Sequence, residues 1–269
     1  MSRRRRALYL SHGAGPLPLL GEASHGELLA RLQEIAGAIE WPSAIVVVSA
    51  HWEEGQPTLT AGPSPPLLHD YVGFPPEAYA ITYPCPGNPQ LARRIAGALA
   101  AHVIAATLDA TRGFDHGLFV PLAIMVPQAD IPCLQLSLVR SLDPAEHLAL
   151  GRALRDLDHG SLLLIGSGFS FHNMRAFSAP DTAATRAMNL AFEQWLQDTC
   201  ANPELPEAER EQRLLHWESA PSARYCHPRE EHLLPLHVCY GYAGAACTRY
   251  FSLRILNKTA SLFLWEIDG

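Results

Sequence analysis

Paired cysteines are missing from this chain of 269 residues. Its six cysteines are scattered, with no Cys-x-x-Cys spacing, which argues against a zinc knuckle and against a small disulfide-stapled scaffold. Free thiols in a reducing, cytoplasmic setting are the expectation. A basic excess is missing too: 20 Lys and Arg stand against 27 Asp and Glu, for a net charge of -7. A nucleic-acid binder would carry the opposite balance. Residues 3–6 are a run of arginines, read as a solvated tip rather than a binding arm. The apolar stretch behind them is broken at once by Ser11, His12 and Gly13, so it does not read as a secretory leader. No run approaches the roughly 20 apolar residues of a membrane span. Internal repeats and low-complexity linkers are absent as well. What remains is 48% apolar and 17% charged, the proportions of a folded soluble protein. At this length one α/β domain over residues 1–269 is expected, as a monomer or small homo-oligomer.

The hydrophobic pattern predicts strands at 7–11, 45–48, 58–61, 133–138 and 162–165. The run at 45–48 is β-branched and continuously apolar, as in a strand covered on both faces. Helices are predicted at 25–39, 89–101, 118–125, 143–157, 183–200, 208–217 and 233–240. Asp143-Pro144-Ala145-Glu146 is a helix start, with Asp143 as N-cap. Strands expected at 250–253 and 261–265 would close the sheet, with antiparallel pairing open to them. The order implies a central, mostly parallel sheet flanked by helices, with its ligand site at the carboxyl edge of the strands. Residues 62–89 form a Pro- and Gly-rich loop too long to be a plain connector. Its aromatics, Tyr71, Phe74, Tyr79 and Tyr83, suit an ordered active-site cover.

Histidine is abundant, at 13 residues. Three histidines stand where strands run out: His12 after Ser11, His51 after Ala50, and His172 after Gly168-Phe169-Ser170-Phe171. Converging imidazoles are what a divalent transition metal needs. His12 reads equally as a metal ligand or as a loop histidine bonded to backbone. His51, beside Trp52, leans to ligand. His172 reads as ligand or general base. In His227-Pro228-Arg229-Glu230-Glu231-His232, both Glu231 and His232 are candidate ligands at a helix start. His116, in Asp115-His116-Gly117, reads as a substrate contact, as a donor behind the ligands, or as a buried satisfied histidine. His237 is assigned to the core; His25, His102, His147, His159 and His216 are assigned to surface or capping roles. Such donors disfavour calcium and magnesium, which want oxygen, and suit iron(II) or zinc.

Several motifs share one resemblance: Ser11-His12-Gly13, Val46-Val47-Val48-Ser49-Ala50-His51-Trp52, His69-Asp70-Tyr71-Val72-Gly73-Phe74-Pro75, Gly113-Phe114-Asp115-His116-Gly117, Gly166-Ser167-Gly168 with His172-Asn173, and Glu231-His232-Leu233-Leu234-Pro235-Leu236. Together they resemble the class III extradiol ring-cleavage dioxygenases, in the branch of the 4,5-DOPA dioxygenases. The resemblance implies metal ligands at His12, His51 and His232. It implies His172 as acid/base or fourth ligand. It places His116, with His69 and Asp115, toward the substrate. It implies Fe(2+) for activity, with Zn(2+) able to occupy the isolated protein, and O2-dependent opening of a DOPA-like catechol. The first loop departs from the family's Gly-His-Gly-Ser-Pro, reading Ser11-His12-Gly13-Ala14-Gly15-Pro16, so the pocket is expected to differ in shape. On the residues alone two other uses of such a site stand beside this one: a zinc hydrolase and a non-catalytic metal-binding adaptor.

Overall fold

The β-branched run at 45–48 lies at the centre of an eight-stranded sheet, flanked by parallel neighbours on both sides. The computed structural model describes residues 5–157 and 161–267. Its strands are β1 (Arg5–Ser11), β2 (Ala44–Glu54), β3 (Thr58–Thr60), β4 (Thr107–Asp109), β5 (Cys133–Val139), β6 (Leu162–Gly168), β7 (Arg249–Ile255) and β8 (Lys258–Ile267). They lie in the order β4-β3-β5-β2-β6-β1-β8-β7. The central four, β5, β2, β6 and β1, are parallel. β8 pairs antiparallel with β1 and with β7. Burial on both faces explains the near-continuous apolar runs of the centre. In β7 buried and exposed residues alternate from Phe251 to Ile255, as an outer antiparallel strand should.

The helices are α1 (Gly26–Ala38), α2 (Pro76–Tyr79), α3 (Pro89–Ala101), α4 (His116–Met125), α5 (Pro144–Arg155), α6 (Met174–Ser178), α7 (Ala183–Ala201), α8 (Glu207–Leu215), α9 (Ala223–Cys226) and α10 (Leu234–Ala243). Successive strand residues face opposite sides, and β6 shows what covers each. A side chain at Gly166 would strike the Pro235 carbonyl at the start of α10, whereas Ser167 Oγ donates to the Gly117 carbonyl at the start of α4. Both helix starts therefore flank the carboxyl end of β6. None of the helices among the described residues is long and apolar enough to cross a membrane.

Three expectations need correction. Arg5 and Arg6 are not a solvated tip. They open β1, and Arg6 is buried with its guanidinium 2.7 Å from the Glu40 carboxylate; Arg3 and Arg4 lie outside the described residues. Strand β2 does not run out at His51 but continues to Glu54. Its register against β5 slips between Ser49 and Glu53, so Ala50, His51 and Trp52 form a bulge that leaves the ladder. His25 and His147 are fully buried rather than superficial. His147 Nδ1 donates to the Asp143 carbonyl, and its Nε2 accepts from the Val139 amide. His102 and His216 are exposed and His237 is in the core, as expected; His159 lies outside the described residues.

Candidate metal centre and active site

His12 directly follows β1, where its amide continues the parallel ladder by donating to the Gly168 carbonyl. His51 projects from the β2 bulge. His232 comes from the turn before α10. That turn approaches β6 so closely that a Cβ on Gly168 would lie 2.1 Å from the His232 carbonyl oxygen, which only glycine permits. The same carbonyl accepts from the Phe169 amide and from the Tyr9 hydroxyl. The three imidazoles form a nearly equilateral triangle: ring centroids lie 4.8 Å apart for His12–His51, 5.2 Å for His12–His232 and 4.9 Å for His51–His232. His116 lies 3.9 Å from His51, and His172 is stacked 3.3 Å from His232.

Partners at Nδ1 fix which ring nitrogen is basic. Ser167 spends its hydroxyl proton on the Gly117 carbonyl, so toward His12 Nδ1, 3.0 Å away, it can only accept. His12 therefore carries its proton on Nδ1 and a lone pair on Nε2. Glu231 Oε1 accepts from both His232 Nδ1, at 2.9 Å, and His172 Nδ1, at 3.0 Å. Asp70 Oδ1 accepts from His116 Nδ1 at 2.8 Å and from the His116 amide at 3.0 Å. Asp70 Oδ2 lies 3.7 Å from His51 Nδ1. Holding Nδ1 in this way frees Nε2 as a donor, the arrangement found behind metal-bound histidine.

One contact tests whether a metal fits. His12 Nε2 and His51 Nε2 face each other at 3.0 Å. Two lone pairs at that distance repel unless a proton or a cation lies between them. Two imidazole nitrogens bound to one ion at about 2.0–2.1 Å would stand about 2.9–3.4 Å apart. Burial, together with the neighbouring imidazoles, pushes His12 well below the usual histidine range. Burial followed by the proximity of His116 lowers His51 to about 3 despite Asp70. Burial and His172 likewise lower His232. Neutral imidazoles are the form a metal requires. The donor atoms of His12, His51 and His116 lie within 4.8 Å of one another, as do those of His172, Glu231 and His232. The residues fit a transition metal.

These rings line a cavity of about 260 Å³, walled by Gly13, Ala14, Gly15, Tyr71, Phe74, Phe169, Met174, Phe177 and Leu256. The altered first loop shapes it. Gly13 and Gly15 have φ of 84° and 55°, the Ala14 amide donates to buried His25 Nε2, and a Cβ on Gly15 would press to 3.2 Å from Phe74. Burial lowers His25 to about 4, keeping it neutral as that acceptor.

Two residues expected at the substrate do not line this cavity. Asp115 is fully buried as the N-cap of α4, where its Oδ1 accepts from Ser49, Gln135 and the Gly117 amide. Burial and Asp70 raise its carboxyl above the usual range despite those bonds. His69 lies behind Tyr71, 5.8 Å between ring centroids, and faces a separate groove with Tyr79 and Tyr83. Its neighbour Asp70 is the residue of that motif that reaches the site, where it grips His116. Burial works to raise Asp70, and the bond and charge of His116 outweigh it to hold the carboxyl low. Glu231, read from sequence as a candidate ligand, accepts from His172 and His232 through Oε1.

The family model for the catalytic LigB subunit of aromatic ring-opening dioxygenase matches residues 6–263. The chain belongs to this family. It is similar to the dioxygenase tasH of Hapsidospora irregularis, with 39% identity over 255 residues, 87% of this chain and 76% of that protein. It is also similar to the 4,5-DOPA dioxygenase extradiol of Beta vulgaris, with 38% identity over 76% of this chain and 74% of that protein. The protein of the same name from Escherichia coli (strain K12) is 35% identical over 87% of this chain and 84% of its own length. The crystal structure of uncharacterized protein JW3007 from Escherichia coli K12 superposes with a TM-score of 0.75 at 28% identity, over 97% of this chain and 99% of that one. As a LigB-family member the protein is a dioxygenase acting on an aromatic compound with O2.

Proposed function

We propose that the protein is a metal-dependent extradiol dioxygenase that opens the ring of a catechol beside its two hydroxyls. The observation that carries the reading is the near-equilateral triangle of His12, His51 and His232 at the wall of a ring-sized cavity, with Nε2 of His12 and His232 left basic by the partners at their Nδ1. These three would hold the metal. Iron(II) bound there supplies Lewis-acid activation of the diol and electronic coupling between ring and O2, while zinc has the donor preferences to occupy the same imidazoles. His172, with Nδ1 committed to Glu231, keeps Nε2 free to take a phenolic proton and return it later. Its half-buried position gives that proton a route to water. His116, locked by Asp70 at two points, presents Nε2 as a fixed contact to the substrate. Tyr71, Phe74 and Phe169 hold the ring and exclude water.

The test is anaerobic loading with iron(II), then addition of a catechol and air. Stoichiometric oxygen uptake with a yellow ring-opened product is expected, starting with L-DOPA and simple catechols. Ester or amide cleavage with zinc and no oxygen uptake would replace this reading by a hydrolase. Metal binding without either reaction would replace it by an adaptor.

A further inference from the structure

The polar side chains lining the cavity are its histidines and Tyr71, whose hydroxyl is spent on the Ala78 carbonyl. Besides the five imidazoles its wall is glycine, alanine, aromatic rings, Met174 and Leu256, with no lysine, arginine, aspartate or glutamate. The rim is apolar as well: Met174 is 65% exposed at its edge. Nearby charges are committed elsewhere. Lys258, the chain's one lysine, is buried 3.3 Å from Asp181. Arg112 lies over Trp52 and pairs with Asp115. Arg229 grips Glu53 with both guanidinium nitrogens. Asp70 and Glu231 hold histidines through one oxygen each, and the second Glu231 oxygen, buried without a hydrogen bond, faces the Arg229 guanidinium at 3.5 Å and lies outside the cavity wall. Arg175 lines a different surface groove, which touches the cavity only through His172 and Met174.

An amino-acid side arm would therefore find no partner for its ammonium or carboxylate. Left against phenylalanine and leucine, it would lose water without compensation. The cavity's volume, about 260 Å³, is below the roughly 300–1,000 Å³ usual for drug-sized ligands, which leaves room for one ring and a short arm.

We propose, resting on the dioxygenase reading, that the substrate is a single-ring catechol with a short uncharged, apolar substituent, selected by Phe74, Met174, Phe177 and Leu256. The arm lies on these side chains while the diol faces the histidines. Selectivity then grows with apolar surface, about fourfold per added methylene in kcat/KM.

The iron(II)-loaded enzyme should be compared on catechol, 4-methylcatechol, 4-ethylcatechol and L-DOPA, with dissociation constants measured calorimetrically on the zinc-loaded protein. A rise of about fourfold from 4-methylcatechol to 4-ethylcatechol, with L-DOPA at least tenfold below the latter in both kcat/KM and affinity, supports the inference. Met174→Ser should cut the preference for 4-ethylcatechol over 4-methylcatechol severalfold. Arg175→Gln, on the exposed surface, should leave all four unchanged. L-DOPA equal to or better than the alkyl catechols overturns the inference alone, as does loss of L-DOPA turnover in Arg175→Gln. Failure to open or bind any catechol overturns the dioxygenase reading, and this inference with it.

Discussion

The Asp70–His116 pair beside His51 and the Glu231–His172 pair beside His232 use the same chemistry: a carboxylate accepts from Nδ1 and leaves Nε2 basic. Their mounting differs. His116 opens α4, is nearly fully buried, and is held by Asp70 through both ring and backbone amide. His172 sits on the loop after β6, is half-buried, and is tied to its surroundings through the bond from its amide to the Cys226 carbonyl. Glu231 divides itself between His172 and His232. A locked imidazole suits a fixed contact, and one near water suits a group that exchanges protons. The difference between the arms supports the roles proposed for them.

The sharpest way to break that assignment is to exchange the two histidines' fates. His172→Gln should lower kcat by about 10²–10⁴-fold with metal content unchanged, whereas His116→Gln should act chiefly on KM. Equal losses in kcat, or unchanged turnover in His172→Gln, would remove the distinction. Steady-state kinetics with metal analysis decides it.

Behind the His172 arm lies Glu193, fully buried, accepting from Ser170 and Ser261. Burial pushes its carboxyl up to about 8, against those hydroxyl donors. A carboxyl raised on folding contributes stability that is fully present below the unfolded value near 4.5 and is lost as pH rises through about 8. That loss should be on the order of 5 kcal/mol. Denaturant melts of the protein against Glu193→Gln should run together below about pH 4.5, separate in the variant's favour between there and about pH 8, and stay apart above it. Parallel curves would show that this support is not titrating.

The carboxylates sharpen the comparison further. Glu231→Gln should weaken zinc affinity about 10–100-fold, because it disturbs the tautomer of His232. Asp70→Asn should weaken it less, since Asp70 stands 3.7 Å from His51 Nδ1 and mainly orients His116. Chelator competition measures both. An equal effect would bring His116 into the ligand set in place of His232. The smallest effect belongs to His69→Gln, expected within about threefold of the parent in kcat/KM, because a side chain outside the cavity costs little unless packing shifts.

Much of this site was readable from residue order. Apolar runs followed by His12 and by Ser49-Ala50-His51 carry the carboxyl edge of the sheet in plain view, and β-branched residues at 45–48 mark its centre. Other features depend on contacts no local pattern encodes. The β2 bulge arises from pairing with β5. Asp70 rather than His69 reaches the site because the long loop turns His69 outward. Glu231 looks like a ligand in sequence, and only the stacking of His172 on His232 shows that its oxygen is already shared. His25 resembles a surface residue until the loop at Gly13–Gly15 folds over it. A signal existed for Asp70: a carboxylate next to a histidine in a loop rich in aromatics is a ready partner for another imidazole.

The bond from Tyr9 to the His232 carbonyl joins residues 223 apart in sequence. The triangle thus needs the first strand and the last third of the chain to have met, a contact whose loop-closure entropy is repaid only late in folding. An emerging polypeptide, or one clipped before α10, carries His12 and His51 but not their third corner. Ion capture by the full triangle would therefore wait until β1 has met the segment that carries His232, and would then shift the equilibrium toward the folded state.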